Sequence, residues 1–299
     1  MTTSAPTRYI DPALLARIGN LELVARAVVE GFVAGLHRSP YKGFSVEFME
    51  YRPYMPGDDP MRIDWKLYAR SDRMYVKEFE DETNTRLRLV VDVSGSMDFA
   101  SGDVRKVDYA FLLAASLAYF VQRQRDAVGL VLFDEALRVR IPPRSTRSHL
   151  QQILMHLEEA EAGAPTQMGK PLHDVAEALK HRGFVILISD ALDDPQKTLD
   201  ALQHIRYYGH QVLFFHVMDR QELEFTYDGP VEFEDAETGE IMLLDAGAAA
   251  TQYKANVTQF IDDLERGCTQ LGIDYTRLIT DEPLDRALFD FLAFRAGKG

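Results

Sequence analysis

The sequence predicts an α/β protein built on a mainly parallel, doubly wound sheet flanked by helices, and three observations predict it. From about residue 86 onward, β-branched apolar segments alternate with helical patterns, the signature of βαβ units. Four of those segments are near-continuous apolar runs, as expected of strands covered by helices on both faces. Apolar residues make up 46% of the 299, enough to bury a substantial core.

The strands fall at 86 to 93 (RLRLVVDV), 127 to 133 (AVGLVLF), 136 to 141, 183 to 189 (GFVILIS), 210 to 217 (HQVLFFHV) and 274 to 279. Helical patterns cover about 104 to 125, 146 to 160, 170 to 182, 195 to 208, 251 to 271 and 283 to 294. Only Asp134 and Glu135 separate the second and third strands, too short a gap for a crossover, so 136 to 141 is expected as an antiparallel edge strand. Its neighbourhood, LRVRIPPRSTRSH, carries four Arg and no acid and reads as a solvated edge.

Two stretches depart from the alternation. Residues 1 to 85 form an N-terminal extension expected to pack on the main domain of residues 86 to 299. The extension opens with a helix over 12 to 37 broken by Gly19 and Gly31, followed by strands at 44 to 51 and 74 to 80. Between those strands, MRIDWKL alternates like a strand, but Asp59 and Pro60 suit an N-cap and first helical position, which favours a short helix, and Trp65 reads as an anchor in a core. Residues 221 to 245 read as an acidic β-hairpin insertion turning near Thr238 and Gly239; with nine acids and no Lys or Arg, its default role is solvated surface.

Charge and composition exclude several roles. The 33 basic against 47 acidic residues leave a net charge of −14, which repels nucleic acid and anionic membranes. One cysteine, Cys268, cannot build a disulfide framework or a thiolate metal site, and fits a packed side chain in a reducing compartment. The N-terminus lacks the basic start and apolar run of a signal peptide, and the longest apolar run, Tyr109 to Val121, is shorter than the roughly 20 residues that span a bilayer. A cytoplasmic protein without a membrane segment is expected.

The chemistry concentrates in VVDVSGSMDF, where a strand ends in Asp92 and is followed by Ser94 and Ser96. Alternate residues of an extended chain point the same way, so D-x-S-x-S can aim one carboxylate and two hydroxyls at one point. In open α/β sheets, ligands bind outside the carboxyl ends of the strands. Oxygen-only donors suit a hard cation: Mg²⁺ first, with Mn²⁺ or Ca²⁺ as the other choices. Thr166, in the loop before the helix at 170, and Asp190, at the end of FVILISD, are the further donors expected at neighbouring strand ends. The competing reading of the same stretch is a strand-to-helix turn with Ser and Asp as caps.

Enzymatic readings find less support. A phosphatase of the haloacid dehalogenase type, a metal-dependent phosphoryl hydrolase with Asp92 as nucleophile, is the alternative function. It would want a second Asp two residues on, where Ser94 stands. A serine nucleophile lacks its G-x-S-x-G turn, the histidines show no H-E-x-x-H, and no phosphate-binding G-x-x-x-x-G-K-[ST] is present. No complete catalytic constellation is found.

The order D-x-S-x-S, then a loop Thr, then an Asp after an apolar strand resembles the metal-ion-dependent adhesion site (MIDAS) of von Willebrand factor A-type (VWA) domains, over roughly residues 86 to 295. That resemblance implies that Ser94, Ser96 and Thr166 touch the metal and that Asp92 and Asp190 act directly or through water. Ala191 stands where many adhesion-type members have Gly. Upstream, EFMEYRPYMPGDDPMRIDWKLYAR followed by VKEFEDE resembles the hallmark of the bacterial family catalogued as domain of unknown function 58 (DUF58). Its members commonly accompany MoxR-type AAA+ ATPases. The resemblance therefore implies a non-catalytic interaction module or adaptor that binds a partner carboxylate through a metal, the partner being such an ATPase or its client. Many members carry N-terminal membrane helices, which this sequence does not show.

Overall fold

The computed structural model describes residues 11–36, 51–53, 75–77, 86–163, 169–179, 182–234 and 241–298. The chain divides into two compact units, one of Met1–Phe32 with Thr85–Gly299 and the other of Val33–Asn84.

The larger unit is a six-stranded sheet of β3 (Arg86–Asp92), β4 (Ala127–Phe133), β5 (Leu137–Arg144), β6 (Phe184–Ser189), β7 (Gln211–Met218) and β10 (Asp274–Ile279), in the spatial order β10-β7-β6-β3-β4-β5. All pairings are parallel except β4 with β5, which closes one edge antiparallel as its three-residue connection, Asp134 to Ala136, requires. The strand order reverses at β3, whose two neighbours are β4 and β6. This reversal opens a crevice at the carboxyl ends of β3 and β6, where an open α/β sheet takes its ligands.

Helices cover both faces. On one lie α5 (Gly169–Ala178), α6 (Pro195–Tyr207) and α8 (Ala246–Gln270), whose Leu172, Val175, Leu202, Ile205, Leu264 and Cys268 close a core over Val90, Val185, Leu187 and Phe214. Cys268 is a buried free thiol, in keeping with a packing role. On the other, α3 (Lys106–Arg123) is buried along most of its length and packs on β3 and β4, while α4 (Arg147–Glu159) packs beside it. Helix α9 (Asp285–Lys298) sets Phe291 edge-to-face on Phe120 at 6.1 Å. The β3–β6 pairing depends on a close approach: a Cβ on Gly183 would lie 2.3 Å from the Arg86 carbonyl oxygen. Only glycine lets the start of β6 meet β3 there.

At the N-terminus, α1 (Pro12–Ala16) starts where Asp11 accepts from the Ala13 amide at 2.9 Å, and α2 (Leu21–Leu36) follows. The break expected at Gly19 occurs, whereas Gly31 lies inside α2, because the apolar stripe of Val24, Val28, Val29 and Phe32 continues through it. A Cβ on Gly31 would meet nothing within 4 Å. Gly31→Ala is therefore expected to raise stability by about 0.5–1 kcal/mol, through backbone entropy, in urea denaturation.

In the smaller unit, β1 (Tyr51–Pro53) and β2 (Tyr75–Lys77) pair antiparallel; β2 lies inside the strand expected at 74 to 80, β1 shares only Tyr51 with the one expected at 44 to 51, and residues 44 to 50 and the helix expected from Asp59 lie outside the described residues. The acidic insertion is corrected in part. Arg220–Glu224 form a short helix, α7, because Asp219 and Glu222 make a reciprocal capping box. The hairpin begins only at β8 (Pro230–Glu234) and returns as β9 (Ile241–Asp245); the turn expected at Thr238 and Gly239 lies outside the described residues. Helix α8 starts at Ala246 rather than 251, since Asp245 caps it by accepting from the Ala248 amide at 3.1 Å. Among the described residues, no helix is long and apolar enough to cross a membrane.

Candidate metal centre at the strand ends

Strand β3 delivers Asp92 fully buried to the crevice, and the chain runs straight on for one residue as the Val93 amide donates to the Phe133 carbonyl at 2.8 Å. Ser94 stays extended (φ −66°, ψ 168°) before a 3₁₀ turn at Gly95–Asp98, which turns Ser96 back towards β6. The side chains then link in sequence. Asp92 accepts from the Ser94 amide at 2.9 Å through Oδ1 and from the Ser189 hydroxyl at 2.6 Å through Oδ2. The Ser94 and Ser96 hydroxyl oxygens are 3.1 Å apart, and Ser96 donates to Asp190 Oδ1 at 3.2 Å. Asp92, Ser94, Ser96 and Asp190, two carboxylates and two hydroxyls separated by up to 98 positions in the chain, share one buried cluster. Thr166 lies outside the described residues.

The loop after β6 has its own geometry. Ala191 adopts φ +48°, left-handed backbone that favours glycine, and its amide donates to the Ser189 hydroxyl at 2.8 Å. The residue that departs from the VWA pattern thus occupies a glycine-type conformation.

Sequence reading missed the cation already present. Lys106, the first residue of α3, is fully buried, and its ammonium lies 2.7 Å from Asp190 Oδ2 and 2.5 Å from Glu222 Oε1. Glu222 is fixed by its other oxygen, which accepts from the Asp219 amide at 2.7 Å. Burial would push Asp190 up, but the charge and hydrogen bond of Lys106 hold it below the usual carboxylate range. Burial likewise opposes the charge on Lys106, and Asp190 with Glu222 carries it above the usual lysine value. Among the described residues no cation pairs with Asp92; burial, then the negative charge of Asp190, push it up to about 7. Behind Asp190, the His216 ring is pushed down to about 4 by burial. Its Nε2 donates to the Asp190 carbonyl at 2.8 Å, so in the neutral ring Nδ1 accepts from the Tyr275 hydroxyl at 2.6 Å.

A cavity of about 400 Å³ opens beside Asp190 and Glu222, walled by Met218, Tyr253, Val257 and Phe260. Leu192 at its rim is 55% exposed. Polar groups at one end and apolar walls elsewhere make it suited to a side chain from another molecule.

The donor chemistry fits a hard cation. Among the described residues no three His, Cys, Asp or Glu side chains gather to hold a metal, so a cation here would rely on the serine hydroxyls beside the carboxylates, an all-oxygen set suited to Mg²⁺. A nucleophilic serine fits less well, because the described hydroxyl partners of Ser94 and Ser96 are each other and Asp190, with no histidine among them.

Comparison with known proteins gives a family and several relatives. The family described as Protein of unknown function DUF58 matches residues 50–259. An uncharacterized protein of Mycobacterium tuberculosis is 29% identical over 296 residues, covering 95% of this chain and 90% of its own length. Among solved structures, BatB from Bacteroides thetaiotaomicron aligns with TM-score 0.47 at 17% identity, over 72% of this chain and 100% of that one. The SpRpn10 VWA domain aligns with TM-score 0.39 at 10% identity, over 69% and 93%.

Proposed function

The chain belongs to the DUF58 family, and from that premise we propose that it is a cytoplasmic, non-catalytic interaction module that binds Mg²⁺ at a MIDAS-like site and grips a carboxylate of a protein partner. The convergence of Asp92, Ser94, Ser96 and Asp190 at the reversal point of the sheet carries this reading. Asp92, Ser94, Ser96, Asp190 and Thr166 are the residues that would hold the cation. When bound, the cation supplies a Lewis-acidic position at which an acidic side chain can coordinate.

The chain's own residues do the rest. Ser189 and the Ser94 amide hold the Asp92 carboxylate in one orientation. His216 anchors the backbone of Asp190. The neighbouring cavity gives room for the segment that carries the partner's acid. The partner we assign is a MoxR-type AAA+ ATPase or its client, on the strength of the family resemblance.

Pull-down with the host's AAA+ ATPase tests the reading. Wild type is expected to capture it in Mg²⁺ and release it in EDTA, and Ser94→Ala to reduce capture about tenfold or more, since loss of even an outer-shell partner of a metal ligand costs that much. Capture insensitive to chelation would remove the metal from recognition. Turnover of a generic phosphate ester, abolished by Asp92→Asn, would favour the hydrolase reading instead.

A further inference from the structure

Lys106 stands where a lysine is locally unfavourable. The first turn of a helix carries partial positive charge, and full burial strips the ammonium of water, so the neighbouring carboxylates hold it there rather than the helix. A neutral side chain of similar size would fill the space with less desolvation. What a lysine adds is a compact charge on a flexible stem that can change partners. The geometry supplies two partners: Asp190 Oδ2 at 2.7 Å and Glu222 Oε1 at 2.5 Å. Only the first belongs to the candidate metal cluster. Glu222 is held apart by the capping box of α7, fixed whether or not Asp190 is engaged.

We propose that Lys106 is the built-in competitor of the divalent cation: its ammonium neutralises Asp190 in the metal-free protein and withdraws to Glu222 when the cation takes that carboxylate. The inference rests on the Mg²⁺ reading above and adds a residue that sets how much cation the site requires. Two positive groups beside one carboxylate repel each other, so the lysine raises the concentration at which the site fills. Asp190 and Glu222 also line the 400 Å³ cavity, so the exchange alters the charge facing whatever enters it.

The test is calorimetric titration of MgCl₂ into the full chain as wild type, Lys106→Met and Lys106→Arg, with melting curves in EDTA and in Mg²⁺. The Met variant is expected to melt lower than wild type in EDTA, to recover more on adding Mg²⁺, and to bind it at least about tenfold more tightly. The Arg variant keeps the charge without the compact head and is expected to bind Mg²⁺ less tightly than the Met variant; binding as tight as that of the Met variant overturns the role of the charge. Equal or weaker binding by the Met variant overturns the proposal. Should that variant fail to fold even with Mg²⁺, Glu222→Gln decides: it leaves the ammonium on Asp190 alone, so weaker binding is expected and unchanged or tighter binding overturns. Mg²⁺ binding by wild type without a gain in the Met variant refutes the role of Lys106 and leaves the site reading intact. No binding by any of the chains refutes both.

Discussion

Asp190→Ala is expected to destabilise the metal-free protein by about 3–5 kcal/mol, the cost of removing one member of a buried ion pair. Lys106 would keep a buried ammonium with Glu222 as its remaining partner, while the Ser96 hydroxyl and the Leu192 amide would lose the oxygen they donate to. The sign with pH follows from the depressed carboxylate. Its stabilisation is fully present above the unfolded value near 3.9 and is lost as pH falls through the lower folded value, so the gap between wild type and variant should close on acidification. Urea denaturation in EDTA at neutral and acid pH measures both. A loss below about 1 kcal/mol at neutral pH would mean that water reaches Lys106 and that the pair is not a dry one.

Asp92→Asn should act in the opposite direction. Asp92 is fully buried, faces Asp190 across the cluster and sits near pH 7 instead of the usual carboxylate range. Because its folded value lies above its unfolded one, the folded state holds a proton that the unfolded chain has released between about pH 4 and 7, and wild-type stability falls as pH rises through that window. Asparagine keeps the shape and can still accept from the Ser94 amide. In EDTA at pH 8 the variant is therefore expected to be more stable than wild type by ~2–4 kcal/mol, with the advantage shrinking towards pH 4. Guanidinium denaturation across that range reads the difference. A variant less stable than wild type at pH 8 would show that the carboxylate is a structural acceptor and not a held charge.

Much of this was legible in the sequence, and what was not has identifiable causes. The apolar runs at 127 to 133 and 183 to 189 mark central strands, because helices on both faces leave no polar alternation to mislead. The short gap at Asp134 and Glu135 determined the antiparallel edge. Asp92, Ser94, Ser96 and Asp190 could be paired because each belongs to the end of such a run. The hairpin expected over 221 to 245 gives way at its start to the helix Arg220–Glu224, and the capping box of Asp219 and Glu222 is the local signal for it. Gly31 was read as a break on propensity, which a continuous apolar stripe overrides. Lys106 was missed altogether, since its two partners lie 84 and 116 positions away and no local pattern joins them. A lysine at the first position of a helix whose middle is apolar, against the helix dipole, is the available hint.

The central assignment, that Asp92, Ser94, Ser96 and Asp190 hold a divalent cation, is tested most directly by MgCl₂ titration of the full chain followed by thermal unfolding, beside Asp92→Asn. Wild type should bind with measurable heat and gain stability, about 2.7 kcal/mol at a hundredfold excess over its Kd, while Asp92→Asn gains little. No heat and an unmoved melting temperature in wild type, or an equal gain in Asp92→Asn, would contradict it.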